Sequence, residues 1–144
     1  MTKQDQIIAD FSKLASWDER YEKIIELGQS LPKQTSAFKV PENKVSGCQS
    51  RVWLSAQLHE GRVVLSAESD AMIVRGLLSL ILQVYSGLTP KQIIETKPYF
   101  IDWLGLSDHL SSTRSNGIKA VLKKIKFYAI GFEYLLNKQS QEIC

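Results

Sequence analysis

The sequence predicts an α+β fold, a small antiparallel sheet covered by helices. Three observations carry this. Two stretches near the middle of the chain alternate apolar and polar residues with a period of two, and Gly61 stands between them. The segments on either side repeat apolar residues at the spacing of helix turns. One of those segments, Ala71 to Ser86, is apolar on nearly every side, so it belongs in the middle of the fold.

Taken in order, Ile7, Ile8, Phe11, Leu14 and Ala15 predict an amphipathic opening helix. Ser16 followed by Glu19 fits a capping box and starts a second helix through Tyr21, Ile24, Ile25 and Leu27, which Pro32 stops. Gln34 to Pro41 has no periodicity and reads as loop. Lys44 to Ser46 is placed to form a short third strand leading into a bend at Gly47-Cys48. Val52, Leu54, Ala56 and Leu58 alternate with Arg51, Trp53, Ser55 and Gln57; past Gly61, Val63, Leu65 and Ala67 alternate again, which is a hairpin pattern. Ser69 or Asp70 is placed to cap the central helix, and Gly87 to end it. Thr89-Pro90-Lys91-Gln92 combines an N-cap, a proline at the first helical position and a capping-box glutamine. Pro98 to Leu104, ending at Gly105, reads as a short helix. Ile118, Val121, Leu122, Ile125, Ala129, Phe132 and Leu136 mark one face of a long C-terminal helix. With no repeat, low-complexity tract or linker, residues 1–144 are expected to form one domain.

The hydrophobic fraction of 44% and charged fraction of 23% are ordinary for a globular protein. A net charge of +3 gives no ground for nucleic-acid binding. Two cysteines, one of them the terminal Cys144, make no disulfide framework, and a reducing, cytoplasmic setting is expected. The N-terminal residues carry no signal-peptide core. The longest apolar stretch, around Leu77 to Val84, is interrupted by Ser79 and Gln83 and is too short for a bilayer, so no membrane partner is expected.

Cys48 is the residue that calls for an explanation. A free cysteine is most often a small buried hydrophobe. Against that, Ser46, Gly47, Gln49 and Ser50 surround it with a polar, turn-prone setting at the edge of a strand, where reactive groups tend to sit. From these residues alone both readings stand. A cysteine–histidine pair would have to draw on His59, in the hairpin turn, or His109, in a loop; each reads as a solvated loop residue. The two cysteines and two histidines match no zinc-ligand spacing, and no glycine-rich phosphate loop joins a strand to a helix. Lys119, Lys123 and Lys126 form a basic stripe on the last helix, with Arg114 and Lys124 nearby; a solvated face is the default, and an acidic patch on a partner is the functional alternative. Arg114 near the start of that helix opposes the macrodipole and calls for an anion or carboxylate, for which Asp70 is a candidate.

Three motifs in this order carry a family resemblance: "GCQSRVW" (Gly47 to Trp53), "SDAMIVRG" (Ser69 to Gly76) and "RSNG" (Arg114 to Gly117), with "WDERYEKIIELGQSLP" near the start. Together they resemble the SufE-like sulfur acceptors, including the CsdE branch, which serve cysteine desulfurases in iron–sulfur cluster assembly. The resemblance runs through nearly the whole chain except Tyr134 to Cys144, which looks like an extension. It implies a SufE/IscU-like fold and a job for Cys48 as persulfide carrier. A pyridoxal-phosphate cysteine desulfurase is the implied donor, an iron–sulfur cluster scaffold the implied receiver, and no cofactor of the protein's own is needed. Gly47, Gln49, Asp70 and Arg114 are expected to support the cysteine loop. The idle sulfur is expected to tuck against apolar side chains. Two rival readings stay open: a cluster scaffold, and an adaptor that stimulates the desulfurase by docking alone. Whether the chain counts as an enzyme, which branch it belongs to, and whether it is a monomer or homodimer also stay open.

Overall fold

The computed structural model of the chain describes residues 2–48 and 50–143; of residues 107, 108, 112, 113 and 140–143 it describes the backbone alone. In chain order the elements are α1 (Lys3–Ser12), α2 (Trp17–Ser30), a single 3-10 turn (Pro41–Asn43), β1 (Val52–His59), β2 (Arg62–Ser69), α3 (Met72–Tyr85), α4 (Pro90–Glu95), α5 (Tyr99–Trp103), α6 (Leu106–His109) and α7 (Ser112–Ile143). The predicted α+β architecture is present.

The hairpin follows from its sequence. β1 and β2 pair antiparallel with Leu54 opposite Ala67, Ala56 opposite Leu65 and Leu58 opposite Val63, so the apolar alternates share one face. The two-residue turn places Glu60 at φ 51° and Gly61 at φ 78°, the left-handed pair that matches strand twist. The outer edge of β2 is closed by the chain after α3: Val63 N–H donates to the Leu88 carbonyl at 2.8 Å, and Gly87 N–H to the Val63 carbonyl at 2.8 Å. The expected third strand reduces to one bridge, Lys44 to Trp53. The 3-10 turn before it and the bend at Gly47 after it leave no room for more.

α3 lies in the middle, as its all-round apolar sequence requires. Leu77, Leu78, Leu80 and Ile81 are buried, with β2 on one side and α2 on the other. α2 and α3 approach through paired glycines. A Cβ on Gly28 would lie 2.7 Å from the Met72 carbonyl oxygen, and one on Gly76 would collide with the Ile24 carbonyl. Only hydrogen fits at either position. The same crossing holds a buried ion pair, Arg75 with Glu68. Arg75 Nε also donates to the Gly28 carbonyl at 3.0 Å, which accepts the Leu31 N–H as well, and Nη2 donates to the Leu31 carbonyl at 2.5 Å, so the guanidinium ties down the end of α2. Glu68 accepts from the backbone N–H groups of Gln34, at 3.0 Å, and Ser69, at 2.9 Å.

The caps are mostly as expected. Thr89 and Gln92 form a reciprocal capping box on α4. Ser16 Oγ accepts from Glu19 N–H at 3.2 Å, but the Glu19 carboxylate takes the Ala15 N–H rather than that of Ser16. α1 ends at Ser12, before Leu14 and Ala15. α3 is the exception: Ala71 is its N-cap and no side chain caps it. Asp70 is not a helix cap, because its carboxylate is turned to Arg51 at 2.9 Å. α6 had no sequence signal beyond Gly105, whose φ of 69° ends one short helix and begins the next. α7, 32 residues and roughly 48 Å long, packs Ile118, Val121, Ile125 and Ala129 into the core.

Candidate functional site

Cys48 sits on the loop Ser46–Arg51, between two fixed points. Val45 is buried and its N–H donates to the Val52 carbonyl at 2.8 Å; Val52 is buried at the start of β1. Gly47 has φ 92°, a left-handed conformation that costs any residue with a Cβ about 1–2 kcal/mol. This bend turns Cys48 away from the strand direction and toward α7. There the thiol points at the Gly117 carbonyl oxygen, 3.7 Å away. A Cβ on Gly117 would stand 3.3 Å from Cys48 Sγ, inside normal van der Waals contact.

Behind the thiol is a cavity of about 100 Å³. α3 contributes Val74, Leu77, Leu78 and Ile81 to its wall, and α7 contributes Ile118 and Val121. Arg114 is the cation in the wall. Cys48 is half-buried, and burial pushes its thiol pKa up. Both readings of the free cysteine therefore meet in one residue: it packs as a small hydrophobe, on a polar loop bent at Gly47.

The other expected site residues fall as follows. Gly47 makes the bend. Gln49 lies outside the described residues. Arg114 is at the cavity, but it does not pair with Asp70. Asp70 is bonded to Arg51 in an exposed ion pair, and the Arg51 hydrogen bond holds its carboxyl below the usual carboxylate range. The correction has a simple cause: Arg51 and Asp70 flank the paired ends of β1 and β2, where Val52 faces Ser69, so the hairpin itself brings them together. His59 stands beside Glu60 at the hairpin turn, and His109 stacks on Trp17 with ring centroids 3.7 Å apart. Neither lines the cavity. Among the described residues no group of three or more His, Cys, Asp or Glu side chains is placed to hold a metal ion, and no single helix is long and apolar enough to cross a membrane.

Two contributors were not singled out from sequence. Gly117 gives the thiol its space; its signal lay in its place inside the Arg114 to Gly117 motif. Lys124 donates to the Glu42 and Lys44 carbonyls, at 3.3 and 3.1 Å, tying the approach to the loop onto α7. Its partial burial lowers its pKa.

A family model described as an Fe–S metabolism associated domain, SufE, matches residues 5–129. The chain belongs to the SufE family. An uncharacterised SufE-like protein of Rhizobium meliloti (strain 1021) is 40% identical over 136 residues, covering 91% of this chain and 97% of that protein. The solution structure of a hypothetical protein from Thermus thermophilus is similar with a TM-score of 0.76 at 21% identity, covering 93% of this chain and 99% of the other. At that identity the likeness shows the fold alone. This SufE-family chain thus carries the expected motifs on the expected fold, and membership places it in iron–sulfur metabolism.

Proposed function

We propose that this SufE-family chain is a sulfur carrier. Cys48 takes sulfur from the persulfide of a pyridoxal-phosphate cysteine desulfurase and passes it to an iron–sulfur cluster scaffold. The observation that supports this most is the housing of Cys48: a single thiol on a bent, polar loop, lying against a cavity of about 100 Å³ to which α3 and α7 contribute apolar side chains and Arg114 a cation.

The chemistry balances without a cofactor. The Cys48 thiolate attacks the outer sulfur of the donor persulfide, R–S–SH. A new S–S bond forms to Cys48, the old S–S bond breaks, and the donor thiolate R–S⁻ leaves. The products are Cys48–S–SH and R–S⁻, with no net oxidation. The resting site opposes this step, because its raised pKa leaves less thiolate than an ordinary thiol of pKa about 8.5 supplies. Leaving the cavity removes the burial that raises the pKa, so the loop couples extension to activation. After transfer, the apolar wall shields the terminal sulfur from water and small thiols. Gly47 and the Arg51–Asp70 pair support the loop, Arg114 stands at the cavity, and Gln49 belongs to the same loop. The same reading takes residues 1–144 as one carrier domain working in the cytoplasm.

The test is intact mass after incubation with a desulfurase and cysteine. The expected result is one added sulfur atom, removed by a reducing thiol and absent in Cys48→Ser. Full stimulation of the desulfurase by Cys48→Ser supports the adaptor instead. Iron retained on the chain after reconstitution supports the scaffold.

A further inference from the structure

We propose that the exposed strip of α7 beside the cysteine loop docks an acidic partner protein, the one that donates sulfur to Cys48. This rests on the carrier reading above and adds the surface and its chemistry. Residues 112–126 include Arg114, Lys119, Lys123, Lys124 and Lys126 and no carboxylate at all. Arg114, in the first turn of α7, opposes the helix macrodipole, and the four lysines have no carboxylate within this stretch to pair with along the helix. Among the described residues the Arg and Lys ion pairs lie elsewhere, at Arg51–Asp70 and Arg75–Glu68. Lys119, Lys123 and Lys126 are exposed.

Beside these cations is a shallow groove of about 450 Å³ lined by Lys44, Val45, Ser46, Ala120, Lys123 and Phe127. Ser46 is two residues before Cys48, so whatever fills the groove touches the loop. Phe127 is 75% exposed; Ile130, at 57%, and Tyr134, at 66%, continue the strip three and seven residues on, along the same helix face. Ile130 and Tyr134 lie beyond the residues that the family model matches. The strip is therefore graded along the helix, basic near the sulfur and aromatic farther away.

Charge selects the occupant. A second copy of the chain would set this carboxylate-free basic end against a chain that is itself net positive. A helix lying in a bilayer separates its cations and apolar residues around its axis. Here they share one exposed face and separate along it. A protein with carboxylates next to its sulfur-bearing site and an apolar rim fits both halves. The lysines would govern the rate of encounter and its salt dependence, and the aromatics the residence time.

The experiment uses the full chain and the desulfurase that loads wild-type Cys48 in the mass assay. Lys123→Glu with Lys126→Glu is expected to weaken binding roughly tenfold or more at low salt and to flatten its salt dependence. Phe127→Ser is expected to raise the dissociation rate by roughly tenfold. Iodoacetamide alkylation of Cys48 in the isolated chain should stay at the wild-type rate in both, which separates lost docking from a damaged site. If wild type is loaded and both variants bind and load equally well, the docking surface is overturned while the carrier reading stands. If wild type is never loaded, both fall. Binding of wild type to phosphatidylglycerol vesicles, lost in the variants while desulfurase affinity is unchanged, would assign the strip to lipid and overturn the proposal, as would self-association abolished by Phe127→Ser.

Discussion

Gly117 and Cys48 meet across two elements, and the contact decides how deeply the sulfur sits. An alanine at 117 would bring a methyl to 3.3 Å from Sγ. The loop, not the helix, is the softer partner, so the thiol should move outward. Because alanine favours a helix by about 1 kcal/mol over glycine, Gly117→Ala should not lower stability in urea. Alkylation of Cys48 should nonetheless become severalfold faster. Slower or unchanged alkylation would show that the thiol stays in its cavity without that space. The raised pKa of Cys48 has its own signature. The folded chain holds the thiol proton more tightly than the unfolded chain does. This contribution to stability is whole below the unfolded thiol pKa and is lost as pH rises through the folded value. Alkylation rate against pH should therefore have its midpoint above that of a small model thiol, and return to it in denaturant. At Asp70 the carboxyl is held low, so the Arg51 bond is complete at neutral pH and is lost as pH falls through that lowered value. The pair is solvent-screened, and Asp70→Ala should cost only about 0–1 kcal/mol. A loss near 2 kcal/mol in urea would restore the capping role that the structure removes.

The elements were largely readable in the sequence because each carries its own local signal. Period-two alternation located the hairpin, Thr89 to Gln92 marked the start of α4, and the run of apolar residues in α3 gave its central place. What was not readable depends on contacts between distant residues. Asp70 precedes a helix and looks like a cap, yet the hairpin register brings Arg51 to it first. Cys48 was visible as a thiol in a bend; that α3 and α7 wall a cavity behind it was not, since those residues lie some thirty to seventy positions away. Arg75 offered a signal that went unused: a lone cation in an otherwise apolar helix must have a partner. That partner, Glu68, is on the alternate of β2 opposite to Val63, Leu65 and Ala67, so the apolar alternation gave no sign of it. Arg75→Leu leaves the Glu68 carboxylate buried without its cation, held only by two backbone N–H groups, and should cost about 3–5 kcal/mol by urea unfolding. Replacing Glu68 by leucine as well should recover part of the loss. A double variant no more stable than Arg75→Leu would mean that the bonds from Arg75 to Gly28 and Leu31, rather than the ion pair, hold the crossing.

At the scale of the whole molecule, a closely packed body stands beside the short cysteine loop. The body is α2 and α3 locked through Gly28 and Gly76, with the hairpin on the far side. Gly76→Ala should destabilise by about 1–3 kcal/mol or more, because backbone rather than a flexible side chain stands in the way. Sulfur uptake per folded molecule should be unchanged, since the crossing is on the face of α3 away from the cavity. Reduced uptake per folded molecule would show that the crossing and the cysteine loop are coupled. The loop is closed at its base by the hydrogen bond from Val45 to Val52. Cys48 is three residues from that rung on one side and four on the other. Three residues of extended chain span about 10 Å. On the carrier reading proposed above, the rung is a tether of fixed length that sets how far the sulfur can be extended. A donor thiol buried more than that distance below the surface on which this chain comes to rest is out of reach while the rung holds, and reaching it means breaking the one bridge that ties the segment before the loop to β1.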